Sequence, residues 1–415
     1  MKNNRIGLLL SLAIFLLPQS GYCDSFSGLF NNTKDVASEV AVLNVVAADV
    51  ASMDFSPDGK HLAVDSRGNG GTDIWDIEEE RIVSHLPESG VTAWYRDVIS
   101  YSPNGQQLAI CHGQGESNIN IDVYDTSSWA TIHSVKDAEK RLNGSGGCEA
   151  ITFTPDGKEL IRLAGSYLGR PGNNVIFYDT SSWQVTRGFR TVPLIDDTNT
   201  IRDPINWTLL ETPNMLWIDP DNKKTEFNPG TLSISKDGKF LALAGTSIAF
   251  GSGTPFDQSE VVIVDISNQA IVHVIHGQAE SSERMLPVDI HSLDWSPDNI
   301  HVAFGPIDNN VSVQIYDTSR NNTVVSEDTG PSYSLVRYTP DGKYLIENVG
   351  KKVEIWDGKH QNLLQVIKAQ PSYIAVSRNG RFFAIGGHAP SIADINPLLS
   401  LTFPGHGRVF IYELK

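Results

Sequence analysis

The seven-residue stretch DFSPDGK, residues 54–60, sets the pattern of most of this chain, because variants of it return six more times. A second phrase follows each copy after a gap, as TDIWDI does after the first copy and VFIYEL after the last. Two phrases that recur together in the same order indicate a repeat protein. The other copies of the first phrase are SYSPNGQ at 100–106, TFTPDGK at 152–158, SISKDGK at 233–239, DWSPDNI at 294–300, RYTPDGK at 337–343 and AVSRNGR at 375–381.

The first repeat predicts four short antiparallel strands. Residues 51–55 alternate in polarity as a strand does, and residues 61–64 form the returning strand. Between them the Ser-Pro-Asp-Gly turn at 56–59 combines a proline that presets φ with residues that accept the positive φ of a tight hairpin. Residues 72–76 and 81–85 supply the third and fourth strands. Four antiparallel strands joined by short hairpins form one blade of a β-propeller.

The spacing of the turns predicts seven blades. Successive turn positions from Gly59 to Gly380 lie 46, 52, 81, 61, 43 and 38 residues apart. Most of these intervals are close to the roughly 40–45 residues of a four-stranded blade. We interpret the longest interval, between Gly157 and Gly238, as containing an inserted hairpin or partial blade near 191–230. An eighth blade is the alternative.

The two ends of the repeat region predict a closed ring. The last repeat ends with its third strand at 408–414, and residues 37–44, just ahead of the first blade, read as the missing fourth strand. A last blade completed by an N-terminal strand removes exposed sheet edges. The predicted fold is therefore an all-β, seven-bladed propeller of four-stranded antiparallel blades that spans residues 37–415.

These phrases resemble those of the WD-repeat β-propeller family, and of its secreted bacterial members in particular. The resemblance covers nearly all of residues 37–415, although the Gly-His pair common in the family is nearly absent. The resemblance implies the fold but transfers almost no function, because propellers host many unrelated activities. The residues that carry it are the literal Trp-Asp endings Trp75-Asp76 and Trp356-Asp357 and the close substitutes Tyr124-Asp125, Tyr178-Asp179 and Tyr316-Asp317.

The N-terminus has the pattern of a secretory signal peptide. Lys2 and Arg5 precede an apolar run over residues 6–17 that is too short for an ordinary membrane span, and a short exit segment ends at Cys23. We predict a signal peptide at 1–23, a leader at 24–36, and an exported chain, periplasmic or secreted, without a transmembrane segment after cleavage. The alternatives are an uncleaved anchor and a lipoprotein acylated at Cys23.

The charge of the chain argues against nucleic acid as a partner. The formal net charge is −17 and becomes −19 when Lys2 and Arg5 leave with the signal peptide. Such a surface repels phosphate backbones and anionic lipid surfaces. The expected partner is a protein or peptide, and the expected form is a monomeric propeller.

Variation in the length of the loops between the second and third strands predicts where binding occurs. The distance from each turn to the end of the third strand ranges from 15 to 33 residues, and this variation falls in one class of loop that projects from one face. Loops on a rigid scaffold are where binding concentrates, although glycine-rich loops also simply tolerate insertion. The candidate binding residues in this class of loop and in the neighbouring connection are Trp94, Tyr95, Arg96, His112, Tyr167, Arg170, Phe250, Phe256, His388 and His406.

Two cysteines remain after cleavage. Cys111 ends the second strand of the second blade, and Cys148 begins the first strand of the third blade. Both positions fall near the long-loop face of neighbouring blades, and exported proteins form disulfides readily. We predict a disulfide between them, with two separate thiols as the alternative.

No catalytic motif stands out. The sequence contains no nucleophile elbow, Walker loop or zinc-protease helix, and its histidines are scattered over separate blades, so we assign no metal and no cofactor. The sequence favours a binding or scaffold propeller, rather than an enzyme, that docks a protein or peptide on its long-loop face. One alternative is a hydrolase or lactonase-like enzyme with a metal in the channel, and another is a component of an envelope assembly.

Overall fold

A computed structural model describes the repeat region of the chain. All of its described secondary structure is β-strand, and no helix long and apolar enough to span a membrane occurs among the residues that it describes. The described residues are 35–45, 50–66, 71–87, 98–114, 118–136, 148–164, 174–190, 225–249, 257–268, 270–276, 290, 292–305, 313–325, 335–369, 371–388 and 407–415.

The described strands form seven four-stranded antiparallel sheets, which confirms the predicted seven-bladed propeller. Of the predicted insertion, residues 191–224 lie outside the described residues, and residues 225–230 belong to β14. Blade 1 contains β2 (Val50–Phe55), β3 (His61–Ser66), β4 (Gly71–Asp76) and β5 (Arg81–Pro87), and blade 2 contains β6 (Ile99–Tyr101), β7 (Gln107–Gln114), β8 (Asn118–Asp125) and β9 (Thr131–Lys136). Blade 3 contains β10 (Cys148–Phe153), β11 (Glu159–Ala164), β12 (Asn174–Asp179) and β13 (Val185–Arg190), and blade 4 contains β14 (Thr225–Ile234), β15 (Phe240–Ala249), β16 (Asp257–Asp265) and β17 (Ala270–His276).

The remaining three blades include the predicted closing blade. Blade 5 contains β18 (Ser292–Trp295), β19 (His301–Gly305), β20 (Gln314–Asp317) and β21 (Asn322–Val325), and blade 6 contains β22 (Val336–Tyr338), β23 (Tyr344–Val349), β24 (Lys352–Asp357) and β25 (Leu363–Lys368). Blade 7 contains β26 (Pro371–Val376), β27 (Phe382–His388), β28 (Gly407–Leu414) and, as its fourth strand, β1 (Ala37–Val45). We call the four strands of each blade a to d, from the channel outward.

The pairing of β1 with β28 closes the ring, and we call this pairing the seam. Strand β1 pairs antiparallel with β28 from Ala37 opposite Leu414 to Val45 opposite Gly407. The buried side chain of Gln365 in blade 6 accepts hydrogen bonds from the backbone N–H groups of Val36 and Ala37, both at 2.8 Å, and donates one to the carbonyl of Ala37 at 3.0 Å. The N-terminal strand is therefore tied to its own blade and to the next one.

Each repeated turn is held by its own side chains. In blade 1 the Ser56 hydroxyl donates to the Asp58 carboxylate at 2.7 Å and accepts from the backbone N–H of His61 at 2.9 Å. Burial raises the pKa of Asp58, but the hydrogen bonds from Ser56 and the backbone of Lys60 outweigh it, so the pKa lies below its usual range. The Ser/Thr-x-Asp/Asn pattern therefore has a structural cause in the a–b hairpin.

Neighbouring turns contact each other around the ring. A Cβ added to Gly105 would lie 3.3 Å from Pro57 of the preceding blade, so the proline of one turn packs on the glycine of the next. The turns that have Lys236 and Arg378 in place of proline use hydrogen bonds instead. Asn299 occupies the glycine position of blade 5 at φ 60° and accepts from the backbone N–H of Asp237 at 3.0 Å. Asn379 donates to the carbonyl of Asp58 at 2.8 Å.

The c–d turns are stabilised in a similar way. The carboxylate of Asp179 accepts hydrogen bonds from the hydroxyls of Ser181 at 2.6 Å and Ser182 at 2.8 Å, and these lower its pKa to about 2. Trp183 ends this turn at φ 56° and stacks on His133 of the preceding blade, with ring centroids 5.3 Å apart. The turn therefore also contributes to the contact between blades 2 and 3.

Candidate functional site

The two faces of the propeller differ in the length of their connections. All seven a–b connections contain five residues, and the c–d connections contain four or five. At the other end of the blades, the b–c and d–a connections range from two residues to the whole of the segment 191–224. We call these the short-connection face and the long-connection face. Because binding segments tend to lie on loops that a rigid scaffold positions, the long-connection face is the first candidate site.

The predicted binding residues belong to connections or strand ends of this face. His112 pairs with Asn120 in the register of β7 and β8, and His388 pairs with Gly407 at the end of β27. Both are described by their backbone alone. Eight predicted residues lie outside the described residues, so their role in binding stays a prediction: Trp94, Tyr95, Arg96, Tyr167, Arg170, Phe250, Phe256 and His406.

The predicted disulfide is present at the same end of the blades. Cys111 and Cys148 are bonded, with their Cα atoms 6.2 Å apart, and both side chains are buried. The bond connects β7 of blade 2 to β10 of blade 3. It fixes two neighbouring blades to each other near the long-connection face.

A second candidate site is the central channel, a cavity of about 280 Å³ lined by the a strands. One residue of each blade occupies an equivalent position on the channel wall. The sequence contained the signal for this ring, because each of these residues is the first letter of one copy of the repeated phrase. The ring consists of Asp54, Ser100, Thr152, Ser233, Asp294, Arg337 and Ala375.

Four of the ring residues connect their blade to the next one. The carboxylate of Asp54 accepts the backbone N–H of Tyr101 at 2.7 Å, and that of Asp294 accepts the N–H of Tyr338 at 2.8 Å. The hydroxyls of Ser100 and Ser233 accept the equivalent N–H groups of Phe153 and Trp295 at 3.4 Å in both cases. These channel side chains therefore have a structural role between blades.

The channel also contains two arginines. Arg337 donates to the hydroxyl of Ser292 at 2.8 Å, and its guanidinium carbon lies 5.7 Å from the centre of the Tyr373 ring. Arg378 reaches from blade 7 past blade 1 and donates to the carbonyl of Tyr101 in blade 2 at 2.7 Å. This Arg378 hydrogen bond joins blade 7 to blade 2 across blade 1 and so helps to close the ring.

Asp294 is a channel carboxyl with a shifted pKa. Desolvation raises its pKa to about 6, although nearby Arg337 and the hydrogen bond from Tyr338 act in the opposite direction. Part of its surface still opens on the channel. A carboxyl with a pKa this close to neutrality in a cavity marks a functional candidate, but its hydrogen bonds to neighbouring blades fit a structural role equally well.

We predict that Asp294→Asn removes part of the pH dependence of stability between pH 4 and 6. The folded state binds the proton of Asp294 more tightly than the unfolded state, whose pKa is 3.8, so the free energy of unfolding falls as pH rises through this window. The full shift corresponds to about 3 kcal/mol, and solvent in the channel reduces this to roughly 1–2 kcal/mol. Urea denaturation at a series of pH values measures the slope.

Asp125→Asn is the control for this experiment. The hydrogen bonds from Ser127 and Ser128 lower the pKa of Asp125, so its titration falls below the window. Equal slopes for Asp294→Asn and the wild-type protein would contradict the prediction.

Among the described residues no group of three or more His, Cys, Asp or Glu side chains is arranged to hold a metal ion. The channel carboxylates Asp54 and Asp294 lie in different blades, and each accepts a backbone N–H of the following blade. These two carboxylates therefore hold neighbouring blades together.

Comparison with known proteins supports the fold. No family model matches the chain. Over 131 residues it is 29% identical to the WD repeat-containing protein VIP3 of Arabidopsis thaliana, a stretch that covers 29% of this chain and 39% of that protein. A chain of Kuenenia stuttgartiensis hydrazine synthase superposes with a TM-score of 0.57 at 17% identity, over 83% of this chain and 94% of that one. The protein is a seven-bladed β-propeller, similar over part of its length to a WD-repeat protein.

Proposed function

We propose that this protein is an exported scaffold that docks a protein or peptide on its long-connection face. The observation that carries the proposal is the difference between the two faces. The short-connection face repeats the same five-residue turn seven times, whereas the connections on the other face vary from two residues to the whole of 191–224. A β-propeller is commonly an interaction scaffold, and diverse loops on one side of it provide a surface for one partner.

The cellular compartment of the protein is part of the same proposal. The disulfide between Cys111 and Cys148 supports an oxidising environment, because cytosolic proteins rarely keep such bonds. Together with the signal-like segment at 1–23, it favours the periplasm or the extracellular space, as in the secreted bacterial propellers that the sequence resembles. Fractionation of the native cells and N-terminal sequencing of the mature chain test this part. Recovery of the intact N-terminus in the cytosol would contradict it.

Affinity capture of the mature chain tests the docking function. We expect that, after cross-linking in the native compartment, mass spectrometry identifies a partner of the wild-type protein. A variant with shortened connections at 165–173 and 250–256 should capture at least tenfold less of it, because these segments lie between strands on the long-connection face. Both deletions stop at the ends of strands, so the blades remain intact.

The matched control is Lys158→Gln combined with Lys239→Gln. Both lysines are exposed in a–b turns on the short-connection face, with 81% and 70% of their side-chain surface accessible. This variant should capture the partner as the wild-type protein does. A partner that is retained by the shortened variant and lost by the control would place docking on the opposite face and overturn the proposal.

A further inference from the structure

Blade 6 has a carboxylate at a core position of its b strand. In every blade, one buried residue of strand b lies opposite the third-last residue of strand a, and in blade 6 this residue is Glu347, opposite Val336. A buried carboxyl costs free energy unless it is neutral or has a partner of opposite charge. The residues at this position in blades 1 to 5 and in blade 7 are Val64, Ile110, Arg162, Leu243, Phe304 and Ile385.

A second buried carboxylate lies directly opposite the first. Glu354 of β24 pairs with Glu347 in the register of the sheet, and both residues are buried. Like charges at directly opposite positions destabilise a sheet. Glu354 has its own cation, because the ammonium group of Lys352 lies 2.8 Å from its carboxylate. Glu347 therefore needs a proton or a partner from elsewhere in the structure.

His360 supplies that partner from the c–d turn of blade 6. Its Nε2 lies 3.4 Å from Oε2 of Glu347, and only 6% and 2% of the two side chains are exposed. The imidazole also stacks on the indole of Trp356, with ring centroids 4.2 Å apart. His360 adopts a φ of 56°, which a residue with a Cβ rarely takes. The turn is therefore folded over the buried carboxyl and covers it on the side of the short-connection face.

Within blade 6, the charges that act most strongly on Glu347 are those of His360 and Glu354. Tyr338 of β22 also lies near, but burial raises its pKa, so this side chain stays neutral. The remaining charged residues of the blade are Arg337 on the channel, Asp341 and Lys343 in the a–b turn, Asp357 and Lys359 in the c–d turn, and Lys351 and Lys368 at the opposite end.

Blade 5 packs an apolar surface against this side of blade 6. Ala303 of β19 and Ile315 of β20 belong to the same core cluster as Leu345, which lies next to Glu347 on that side of β23. Strand β21 has no titratable side chain. The charged residues on the same side of β19 and β20 and in the turns beside them form ion pairs with one another, and they are His301, Asp317, Asp298 and Arg320.

The folded chain holds a proton at this cluster more tightly than the unfolded chain does. Burial raises the pKa of Glu347, and the negative charge of Glu354 adds to this, although His360 and Trp356 act in the opposite direction. The unfolded carboxyl has a pKa of 4.5, so the contribution to stability is present below pH 4.5 and is lost as pH rises through the raised pKa. Imidazole groups in general lose their charge between about pH 5 and 8. At alkaline pH the cluster therefore contains two buried carboxylates and a single ammonium group.

We propose that Glu347 and His360 form a pH-sensitive latch, which holds the c–d turn of blade 6 closed in acid and releases it as pH rises. Loss of the proton leaves the Glu347 carboxylate buried opposite Glu354, and outward movement of the turn lets water reach it. The same movement takes His360 off the ring of Trp356 and uncovers that ring on the short-connection face. The latch is a property of this chain alone and does not depend on the docking function.

Hydrogen exchange of the mature chain, measured by mass spectrometry, tests the latch. A protection factor compares each amide with an unstructured peptide at the same pH, so it removes the intrinsic pH dependence of exchange. Within the turn, the N–H of Asp357 donates to the carbonyl of Asn362 at 3.0 Å, and that of His360 donates to the carbonyl of Asp357 at 2.8 Å. Protection of residues 357–362 should fall roughly tenfold between pH 5.5 and pH 8.5, because release of the turn opens these bonds.

The c–d turn of blade 3, residues 179–184, is the internal reference. It has the equivalent hydrogen bonds, at 2.9 and 2.7 Å, and its Trp183 also stacks on a histidine, His133. Strand b of that blade has Arg162, not a carboxylate, at the core position. Protection of this turn should be the same at both pH values. An equal fall in both turns, or no fall in the blade 6 turn, would overturn the proposal.

Two variants assign the effect to Glu347. Glu347→Gln keeps the shape of the side chain but has no proton to lose, so the turn should stay protected at pH 8.5. Glu347→Leu, which introduces the residue type that blade 4 has at this position, has the same expected result if the glutamine variant does not fold. His301→Gln is the matched control, because it removes a histidine from an exposed His–Asp pair in blade 5, and it should behave as the wild-type protein does. A fall that persists in the Glu347 variants, or that disappears in His301→Gln, would contradict the latch.

Discussion

A chain that lacks residues 37–45 is expected to lose most of its stability or to fail to fold as a closed ring. These residues form β1, the fourth strand of blade 7, and they bury Ala41, Leu43 and Val45. Burial of Leu43 and Val45 alone contributes roughly 3–6 kcal/mol. A typical domain has about 5–15 kcal/mol in total, so the loss of the strand removes a large share. Urea denaturation followed by tryptophan fluorescence measures it.

A point substitution tests the same seam without removing the strand. Leu43→Ala should lower the free energy of unfolding by about 2–5 kcal/mol, because the side chain is fully buried between β28 and blade 1. Val40→Ala on the same strand is the matched control, since 43% of Val40 is exposed, and it should change stability by less than about 0.5 kcal/mol. A synthetic peptide of residues 35–45 should restore stability to the truncated chain. Equal urea midpoints for the truncated and full-length mature chains would show that the seam contributes nothing.

Reduction of the disulfide is expected to lower the free energy of unfolding by roughly 4 kcal/mol. Cys111 and Cys148 are 37 residues apart in sequence, and a crosslink that closes a loop of this length restricts the unfolded chain by about that amount. The comparison uses the wild-type protein in oxidising and reducing buffer, so that the side chains remain the same.

The double variant Cys111→Ala and Cys148→Ala is the control for this comparison. It should have the stability of the reduced wild-type protein and should not respond to the reductant. Binding assays in parallel would show whether the fixed geometry of blades 2 and 3 matters for docking. An unchanged urea midpoint after complete reduction would contradict the stabilising role of the bond.

The strand order and the turns could be predicted from the sequence because their causes are local. The hydroxyl of Ser56, the carboxylate of Asp58 and the positive φ of Gly59 act within one hairpin, and the same pattern recurs in neighbouring blades. The closing strand could also be predicted, since residues 37–44 supply the one strand that the last repeat lacks. The disulfide followed once the two cysteines were placed at the same end of adjacent blades.

The channel ring was not predicted, because its contacts depend on how the blades are arranged in space. Asp54 and Tyr101 are far apart in sequence, and nothing in the local pattern shows that one accepts a hydrogen bond from the other. The hydrogen bond between Asn299 and the backbone of Asp237 could not be predicted for the same reason. In the sequence, an asparagine at the glycine position suggests that the motif has been lost. In the structure, its side chain compensates for the proline that is missing from the preceding turn.

The seam in blade 7 has a consequence for how the chain matures. Strand β1 precedes the strands of blades 1 to 6 in the chain and β28 follows them, so the two partners meet only after those six blades have been synthesised. Blades 1 to 6 are built from strands that are close in sequence and form early, whereas the final pairing closes a loop that contains all six of them. Until then the incomplete blade 7 exposes an unpaired strand edge that attracts other chains. Under the proposed export this interval falls during or just after translocation, when a chaperone of the destination compartment would protect the open edge.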